Sequence, residues 1–179
     1  MGIARQLQGV DAGFRKIAAN GTDLPVLNVF RMFAKLGATR IAARSDGEVT
    51  LDDMLKDGVR GKADVGVLAA RGADGRIGML VWHYHDDVAG PGAAVTLNLN
   101  GLGARTRVTQ WRVDVANANA FSAWKAMGSP QSPDEKQYVR LGAASSMQAV
   151  ALPPLAVRNG AGSVHFDLPR QGVTLLVIE

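Results

Sequence analysis

From Thr39 to the C-terminus the sequence consists of short apolar runs separated by turn residues, and this texture constrains the fold more than any other feature. Runs of this kind, bounded by Gly, Pro, Asn and Asp, are typical of antiparallel strands. Segments 64–70 and 76–85 flank Gly72-Ala73-Asp74-Gly75, an arrangement that predicts a hairpin. Several short strands at such spacing predict a mainly β fold, an antiparallel β-sandwich. The other predicted strands are segments 94–99, 106–115, 156–158, 163–168 and 173–178.

Two helical segments interrupt this pattern. Asp23 can cap a helix that begins near Pro25, carries apolar residues at three- and four-residue spacing, and stops at Gly37. Ser132, with Pro133 after it and a glutamate three residues on, matches a capping box and predicts a short helix that ends at Gly142. Residues 116–131 before it are expected to form a long loop. We therefore predict a sandwich with an N-terminal helix and one short helix in a long insertion.

Composition narrows the classes of function. The 179 residues carry a net charge of +4 and no cysteine, so disulfides and thiolate metal ligands are excluded. There is no run of 18 apolar residues, and no secretory signal follows Met1, so we expect no membrane span and favour the cytoplasm. The arginines are scattered and do not form a dense basic stripe, so we expect no nucleic-acid partner.

The run from Val81 to Asp87 holds the densest group of chemically versatile side chains. His83 and His85 are two residues apart and should share one face of a strand, with Trp82 and Tyr84 on the other. Two imidazoles can begin a metal site, but the chain has three histidines in all, so we expect no metal and no cofactor. The two aromatic rings either stack on a sugar or pack in the core, and both interpretations stay open. The candidate substrate-binding residues of this run are Trp82, His83, Tyr84 and His85.

The chain has only three glutamates, and none of them is expected to be a buried catalytic acid. Glu48 lies in a polar run, Glu135 belongs to the predicted capping box, and Glu179 is the terminal residue. Catalysis by paired carboxylates requires two acids in contrasting environments, one of them kept protonated in an apolar pocket. The sequence also lacks a G-x-S-x-G nucleophile elbow and a dinucleotide-binding glycine pattern.

Four ordered strings, at residues 25–33, 81–87, 126–131 and 168–173, resemble glycoside hydrolase family 39. The similarity is to the C-terminal part of its bacterial β-xylosidases. The resemblance implies a family fold in which a (β/α)8 barrel carries two catalytic glutamates and precedes a β-sandwich. The implied activity is retaining hydrolysis of xylosides. The acid/base glutamate of the family lies in an Asn-Glu-Pro context, and neither Asn-Glu nor Glu-Pro occurs in this chain.

The resemblance also implies a domain organisation. Residues 1–37 correspond to the final loop and helix of the barrel, and residues 38–179 to the accessory sandwich, so both catalytic glutamates would be missing. We therefore expect an accessory region without hydrolytic activity of its own. Where the family carries His-Ser-Asn-Ala-Tyr, this chain has Asn117-Ala118-Asn119-Ala120-Phe121. Asn119, Phe121 and Trp124 either help to contact substrate or anchor the insertion.

Two other functions remain as alternatives. The chain could be a carbohydrate-binding module in which Trp82, Tyr84 and Trp124 stack on a xylo-oligosaccharide. It could instead be a structural domain that associates with itself. The helix from Pro25 to Leu36 has a wide apolar stripe, and the family barrel would cover part of it. We therefore expect a barrel-bearing chain or a second copy as the partner of this helix.

Overall fold

The computed structural model describes residues 18–19, 22–104 and 106–179. Residues 1–17, 20 and 21 of the predicted barrel remnant lie outside the described residues, and so does Arg105. The helices are α1 (Pro25–Phe33), α2 (Leu51–Asp57), α3 (Ala120–Ala126) and α4 (Glu135–Ser145). The strands are β1 (Ala18–Ala19), β2 (Thr22–Asp23), β3 (Thr39–Ile41), β4 (Asp64–Arg71), β5 (Ile77–Tyr84), β6 (Ala93–Asn100), β7 (Val108–Val113), β8 (Val150–Ala151), β9 (Ala161–Leu168) and β10 (Gly172–Ile178).

The chain divides into two compact units. The helical unit contains residues 1–31 and 112–148, and the strand unit contains residues 32–111 and 149–179. None of the described helices is long and apolar enough to cross a membrane. The assignment of residues 1–37 to the end of a barrel and of residues 38–179 to an accessory sandwich stays a prediction.

The strand unit confirms the predicted mainly β sandwich. One sheet has six strands in the order β3-β4-β5-β10-β7-β8, and a second sheet pairs β6 with β9. The pairs with a described register are antiparallel. One core lies between the sheets, because residues of both sheets form a single buried apolar cluster. Its buried members are Ala69, Met79, Val81, Val95, Val108, Val164, Leu168, Leu176 and Ile178.

The predicted hairpin around Gly72 to Gly75 is confirmed. Its turn closes through a hydrogen bond from Gly72 N to Arg76 O at 2.8 Å, and the Asp74 side chain accepts from Arg76 N at 3.1 Å. Gly75 has φ of 84°, a left-handed conformation that glycine adopts without strain. Beyond this turn, β4 and β5 pair over their full length.

The predicted strand at 156–158 is wrong. Only Arg158 pairs, with Ala161, across a two-residue turn in which Asn159 and Gly160 have φ of 52° and 74°. The preceding segment packs a side chain on the sheet: a Cβ on Gly162 would lie 3.1 Å from Cδ2 of Leu155. Side-chain packing by this segment therefore takes the place of a ladder of backbone hydrogen bonds.

Helix α1 ends earlier than the predicted stop at Gly37. After Phe33 the chain tightens, with i to i−3 hydrogen bonds from Lys35 N to Met32 O and from Leu36 N to Phe33 O. Leu36 then packs on the sheet, because a Cβ on Gly78 would lie 2.9 Å from Cδ2 of Leu36. Contact with the β4–β5 hairpin thus takes the chain off the helical path.

The predicted capping box of α4 is displaced by two residues. Asp134 caps the helix, accepting from Gln137 N at 2.8 Å, while its own N–H donates to Oε1 of Gln137 at 2.9 Å. Aspartate is as good an N-cap as serine, so the sequence contains two possible capping boxes, one starting at Ser132 and one at Asp134. The helix also continues past Gly142 to Ser145, and Ser145 at its end is buried.

The predicted loop at residues 116–131 contains helix α3. Asn119 caps it, accepting from Ser122 N at 3.1 Å. Within the helical unit, the indole of Trp124 and the side chain of Leu141 form a small core with Ala120. Asn28 is fully buried in the same unit and donates to the carbonyl oxygen of Ser145 at 2.7 Å. This bond fastens α1 to the C-terminal end of α4.

Candidate functional site

The end of β5 places the predicted site residues on alternate faces of the six-stranded sheet. His83 lies on the core side and is buried, whereas Trp82 is half-buried and Tyr84 is 44% exposed. Period-2 geometry therefore separates the histidines from the aromatic rings, as the sequence predicts. The two sets of side chains have different neighbours, so they cannot act as one cluster.

Both histidines are engaged with the backbone. Nδ1 of His83 lies 2.9 Å from the carbonyl oxygen of Leu168, which can only accept, so this nitrogen carries the proton. His85 accepts at Nδ1 from Asp87 N at 2.9 Å and donates from Nε2 to the carbonyl oxygen of Arg60 at 3.1 Å. Among the described residues, no group of three His, Cys, Asp or Glu side chains could hold a metal ion. The geometry gives both imidazoles structural roles.

Trp82 forms a platform on the outer face of the sheet together with two residues of β4. Gly66 is its partner on the neighbouring strand, and the indole occupies the space that a side chain there would need. Nε1 of Trp82 donates to Oδ2 of Asp64 at 2.6 Å, and the other carboxylate oxygen accepts from Val49 N at 2.8 Å. The orientation of the indole is thus fixed by a buried, fully bonded carboxylate.

Tyr84 lies beside charged groups at the surface of the strand unit. Its hydroxyl donates to Oδ1 of Asp86 at 3.2 Å, and Oδ2 of Asp86 pairs with Nε of Arg60 at 3.2 Å. The hydrogen bond from Tyr84 to Asp86, and then the negative charge of that carboxylate, raise the pKa of the phenol above its ordinary value. An exposed aromatic ring flanked by a carboxylate and a guanidinium is a surface that can bind a polar ring such as a sugar.

In the helical unit, the insertion residues are held by one another. The rings of Phe121 and Trp124 stack with centroids 5.7 Å apart, and Nε1 of Trp124 donates to the carbonyl oxygen of Pro130 at 3.0 Å. Trp124 is 1% exposed, which favours the anchoring interpretation for this residue. Lys125 places its ammonium 5.0 Å from the centre of the Phe121 ring, so one side of that ring is covered by a cation.

The turn before α3 is organised by a buried carboxylate that the sequence analysis missed. Oδ1 of Asp114 accepts from the backbone N–H groups of Ala116 and Asn117 at 2.8 and 2.9 Å, while its Oδ2 lies 3.1 Å from Nε of Arg112. Asn119 donates to the carbonyl oxygen of Asp114 at 3.1 Å. Asn119, one of the predicted site residues, is thereby committed to shaping the turn and capping the helix.

Comparison with known proteins establishes the family. The family model for glycosyl hydrolases family 39 matches residues 5–160, which is most of the chain. The chain belongs to glycosyl hydrolase family 39. The resemblance noted in the sequence is thus confirmed. A search of curated proteins gave no match to this family 39 chain.

Solved structures of the same family share the fold of this family 39 chain. A monomeric β-xylosidase from Caulobacter crescentus is 18% identical, with a TM-score of 0.58 over 88% of this chain and 31% of that chain. A GH39 β-xylosidase from the same organism gives 18% identity and a TM-score of 0.57 over 88% and 28% of the two chains. The GH39 enzyme from Xanthomonas axonopodis pv. citri is 19% identical, with a TM-score of 0.52 over 68% of this chain and 28% of that chain. The family 39 chain thus spans about a third of the length of these relatives.

Of the seven predicted site residues, the structure brings Trp82 and Tyr84 to one surface of the strand unit and Asn119, Phe121 and Trp124 together in the helical unit. Sequence reasoning missed the partners Arg60 and Asp64, and it included Asp86 only as part of the run from Val81 to Asp87. Asp64 could have been inferred, because antiparallel pairing of β4 with β5 places it opposite Tyr84. Arg60 lies on an irregular segment, and no periodic pattern indicates its position.

Proposed function

We propose that this chain is an accessory region of a family 39 glycosidase and has no hydrolytic activity alone. The observation that supports this most directly is the placement of its three glutamates, all of which are exposed. Glu48 is in a loop, Glu135 is in the first turn of α4, and Glu179 lies 3.6 Å from Arg76. A retaining glycosidase holds two carboxyl groups about 5–5.5 Å apart across the scissile bond. None of these glutamates has the buried, paired setting that such chemistry needs.

The buried aspartates do not supply a substitute pair. Asp64 accepts hydrogen bonds from Trp82 and Val49, and Asp114 accepts from the turn at Ala116 and from Asn117. A carboxylate whose oxygens are bonded to backbone and indole N–H groups stabilises local structure and is not free to attack a sugar or protonate a leaving group. The aspartates therefore support the same conclusion as the glutamates.

The length of the solved relatives also supports an accessory role. The chain covers 28% to 31% of the two Caulobacter crescentus β-xylosidases. A (β/α)8 barrel alone takes about 250 residues, which exceeds the 179 residues of this chain. A barrel that carries the catalytic carboxylates would have to be supplied by another polypeptide segment.

Hydrolysis of p-nitrophenyl β-D-xyloside by the purified chain tests this proposal. We expect no release of p-nitrophenol above that of buffer over hours. Any turnover is checked against Glu48→Gln, Glu135→Gln and Glu179→Gln, each of which removes one carboxylate with little change in side-chain size. Enzyme-like turnover that one of these changes abolishes would overturn the proposal. Turnover that none of them affects would be assigned to a contaminating hydrolase.

Sugar binding at Trp82 and Tyr84 is a second candidate function. The exposed ring of Tyr84 and the platform indole lie on the same face of β5, with Asp86 and Arg60 at the rim. A titration with xylohexaose, followed by the indole N–H resonances, should give a saturable shift for Trp82. Tyr84→Ala should abolish the shift, whereas Val139→Ala, a change at an even more exposed position on α4, should not. Absence of a saturable change below millimolar sugar would count against this function.

A further inference from the structure

The two sheets of the sandwich differ greatly in size. The large sheet has six strands, whereas β6 and β9 form a sheet of two. β6 pairs with β9 along one edge from Ala93 to Asn100. Within the part of the chain that the structure describes, no strand pairs with the other edge of β6. A row of backbone N–H and C=O groups is therefore left without a ladder partner, which natural sheets generally avoid.

A groove follows this open edge. One part has a volume of about 500 Å³ and continues into a part of about 180 Å³, and together they border β6 from Ala93 to Asn100. The inner face of the large sheet supplies the floor through Val67, Met79 and Ile178. The far side is closed by residues 41–46. The groove is thus a slot between β6 and that segment, with an apolar floor.

The side chains of β6 indicate what the slot accepts. All four residues from Thr96 to Leu99 border the slot, but Leu97 and Leu99 are half-buried, whereas Thr96 and Asn98 are exposed. The exposed pair is bonded to β9, from Thr96 to His165 at 2.9 Å and from Ser163 to Asn98 at 2.8 Å. A strand added beside β6 would continue this alternation, with apolar side chains on the floor and polar ones toward water.

We propose that this slot binds a single extended strand that pairs with β6, supplied by the polypeptide that carries the rest of the family 39 fold. The inference rests on the proposed accessory role. The relatives of known structure are about three times longer than this chain, so most of the family polypeptide is available to provide the strand. A second copy fits less well, because its β6 brings β9 with it and residues 41–46 close the far side of the slot.

A peptide tests this proposal on the intact chain. The probe is a capped peptide of about seven alternating Thr and Val residues, a typical strand length. Its control has Pro in place of the central Val, which removes an N–H and disfavours pairing. Amide hydrogen exchange of β6 is read by NMR. In the free chain the β6 amides that face the slot should exchange fast, and those that face β9 slowly.

At millimolar concentration the alternating peptide should slow the fast β6 amides by about tenfold or more, and the Pro peptide should not. Leu97→Lys on the floor side should abolish the effect, and Thr96→Ala on the outer side should preserve it. If Leu97→Lys does not fold, the comparison of the two peptides on the unaltered chain still tests whether a strand pairs with β6. No protection by the alternating peptide, or equal protection by both, overturns the proposal.

Two other occupants give distinct results, each of which overturns the proposal. Protection that is present before peptide is added, and is lost when residues 1–17 are deleted, would mean that the chain fills its own slot. Protection that rises with protein concentration together with the mass from light scattering would indicate a second copy. Because the readout involves neither sugar nor turnover, xyloside hydrolysis by the chain alone would overturn the accessory role while leaving the peptide result intact.

Discussion

The indole of Trp82 lies directly over Gly66, its partner on the adjacent strand. A Cβ built on Gly66 would lie 2.1 Å from Cζ2 of Trp82, so the two positions are sterically coupled. Gly66→Ala should displace the indole and break its 2.6 Å hydrogen bond to Asp64. We expect a loss of about 1–3 kcal/mol in the free energy of unfolding, measured by urea denaturation.

The control for this change is Gly61→Ala. A Cβ on Gly61 meets nothing within 4 Å, and Gly61 is not in the left-handed region, so stability should change by less than about 0.5 kcal/mol. If Gly66→Ala were as stable as Gly61→Ala, the indole would not be confined over this glycine. A change in the Trp82 indole N–H resonance in the Gly66 variant alone would support the steric explanation.

Asn28 should contribute to stability through buried hydrogen bonds. Its Nδ2 donates to the carbonyl oxygen of Ser145 at 2.7 Å and more weakly to that of Ala118 at 3.5 Å. Asn28→Ala leaves buried acceptors without their donor, which should reduce the free energy of unfolding by about 1–3 kcal/mol. Ser146→Ala, which removes an exposed hydrogen bond from the residue after α4 to the carbonyl oxygen of Gly142, is the matched control and should be near neutral. Equal stability of both variants would contradict the prediction.

The phenol of Tyr84 should titrate above its ordinary pKa because of Asp86. Asp86→Asn removes the negative charge, and the pKa should then fall toward the ordinary value near 10. Ultraviolet titration near 295 nm can follow this, since the chain has two tyrosines and Tyr84→Phe identifies the signal. An unchanged phenol titration in Asp86→Asn would contradict the assignment.

The raised pKa of Tyr84 makes the free energy of unfolding depend on pH. The folded state holds the Tyr84 proton more tightly than the unfolded chain does. Its contribution is therefore fully present below the unfolded pKa near 10 and is lost as the pH rises through the higher folded pKa. Because the ring is exposed, we expect the effect to be small and weakened by salt.

Helix α1 carries an exposed apolar stripe that should bind a partner, either a barrel-bearing chain or a second copy. Val26, Phe30 and Phe33 are 44%, 59% and 47% exposed, at spacing that puts them on one side of the helix. We expect the isolated chain to associate with itself, and Phe30→Asp to reduce the mass measured by light scattering. Leu55→Asp on α2, at an even more exposed leucine, is the control. A monomeric unaltered chain at high concentration would contradict self-association through this stripe.

Local signals in the sequence were sufficient for most of the strand unit. The Asp-Gly turn and the flanking apolar runs predict the β4–β5 hairpin, since a glycine at Gly75 adopts positive φ and the strands follow from alternation. The same period-2 rule predicts that His83 and Tyr84 lie on opposite faces of the strand, whereas the structure shows that His83 is the one on the core side. These features depend on residues close in the chain, where pattern and physical cause coincide.

Helix ends and the missed helices show where local signals were ambiguous. Ser132 and Asp134 both fit a capping box, and only the assembled structure shows which one is used. Helices α2 and α3 follow the N-cap residues Thr50 and Asn119. Helix α3 lies in the predicted loop at residues 116–131, and no helix was predicted where α2 lies. A cap shows where a helix can start, but packing determines whether it forms.

The sequence alone determined the family, the mainly β class and the scarcity of glutamates, because ordered motifs, alternation and composition do not depend on long-range contacts. Only the tertiary structure decided which side chains are free to act. The burial of Trp124 depends on side chains from more than one helix. The hydrogen bond of His83 to Leu168 joins two strands that are distant in the sequence. Likewise, among the described strands β6 pairs only with β9, which lies far along the chain, and no local pattern encodes this pairing.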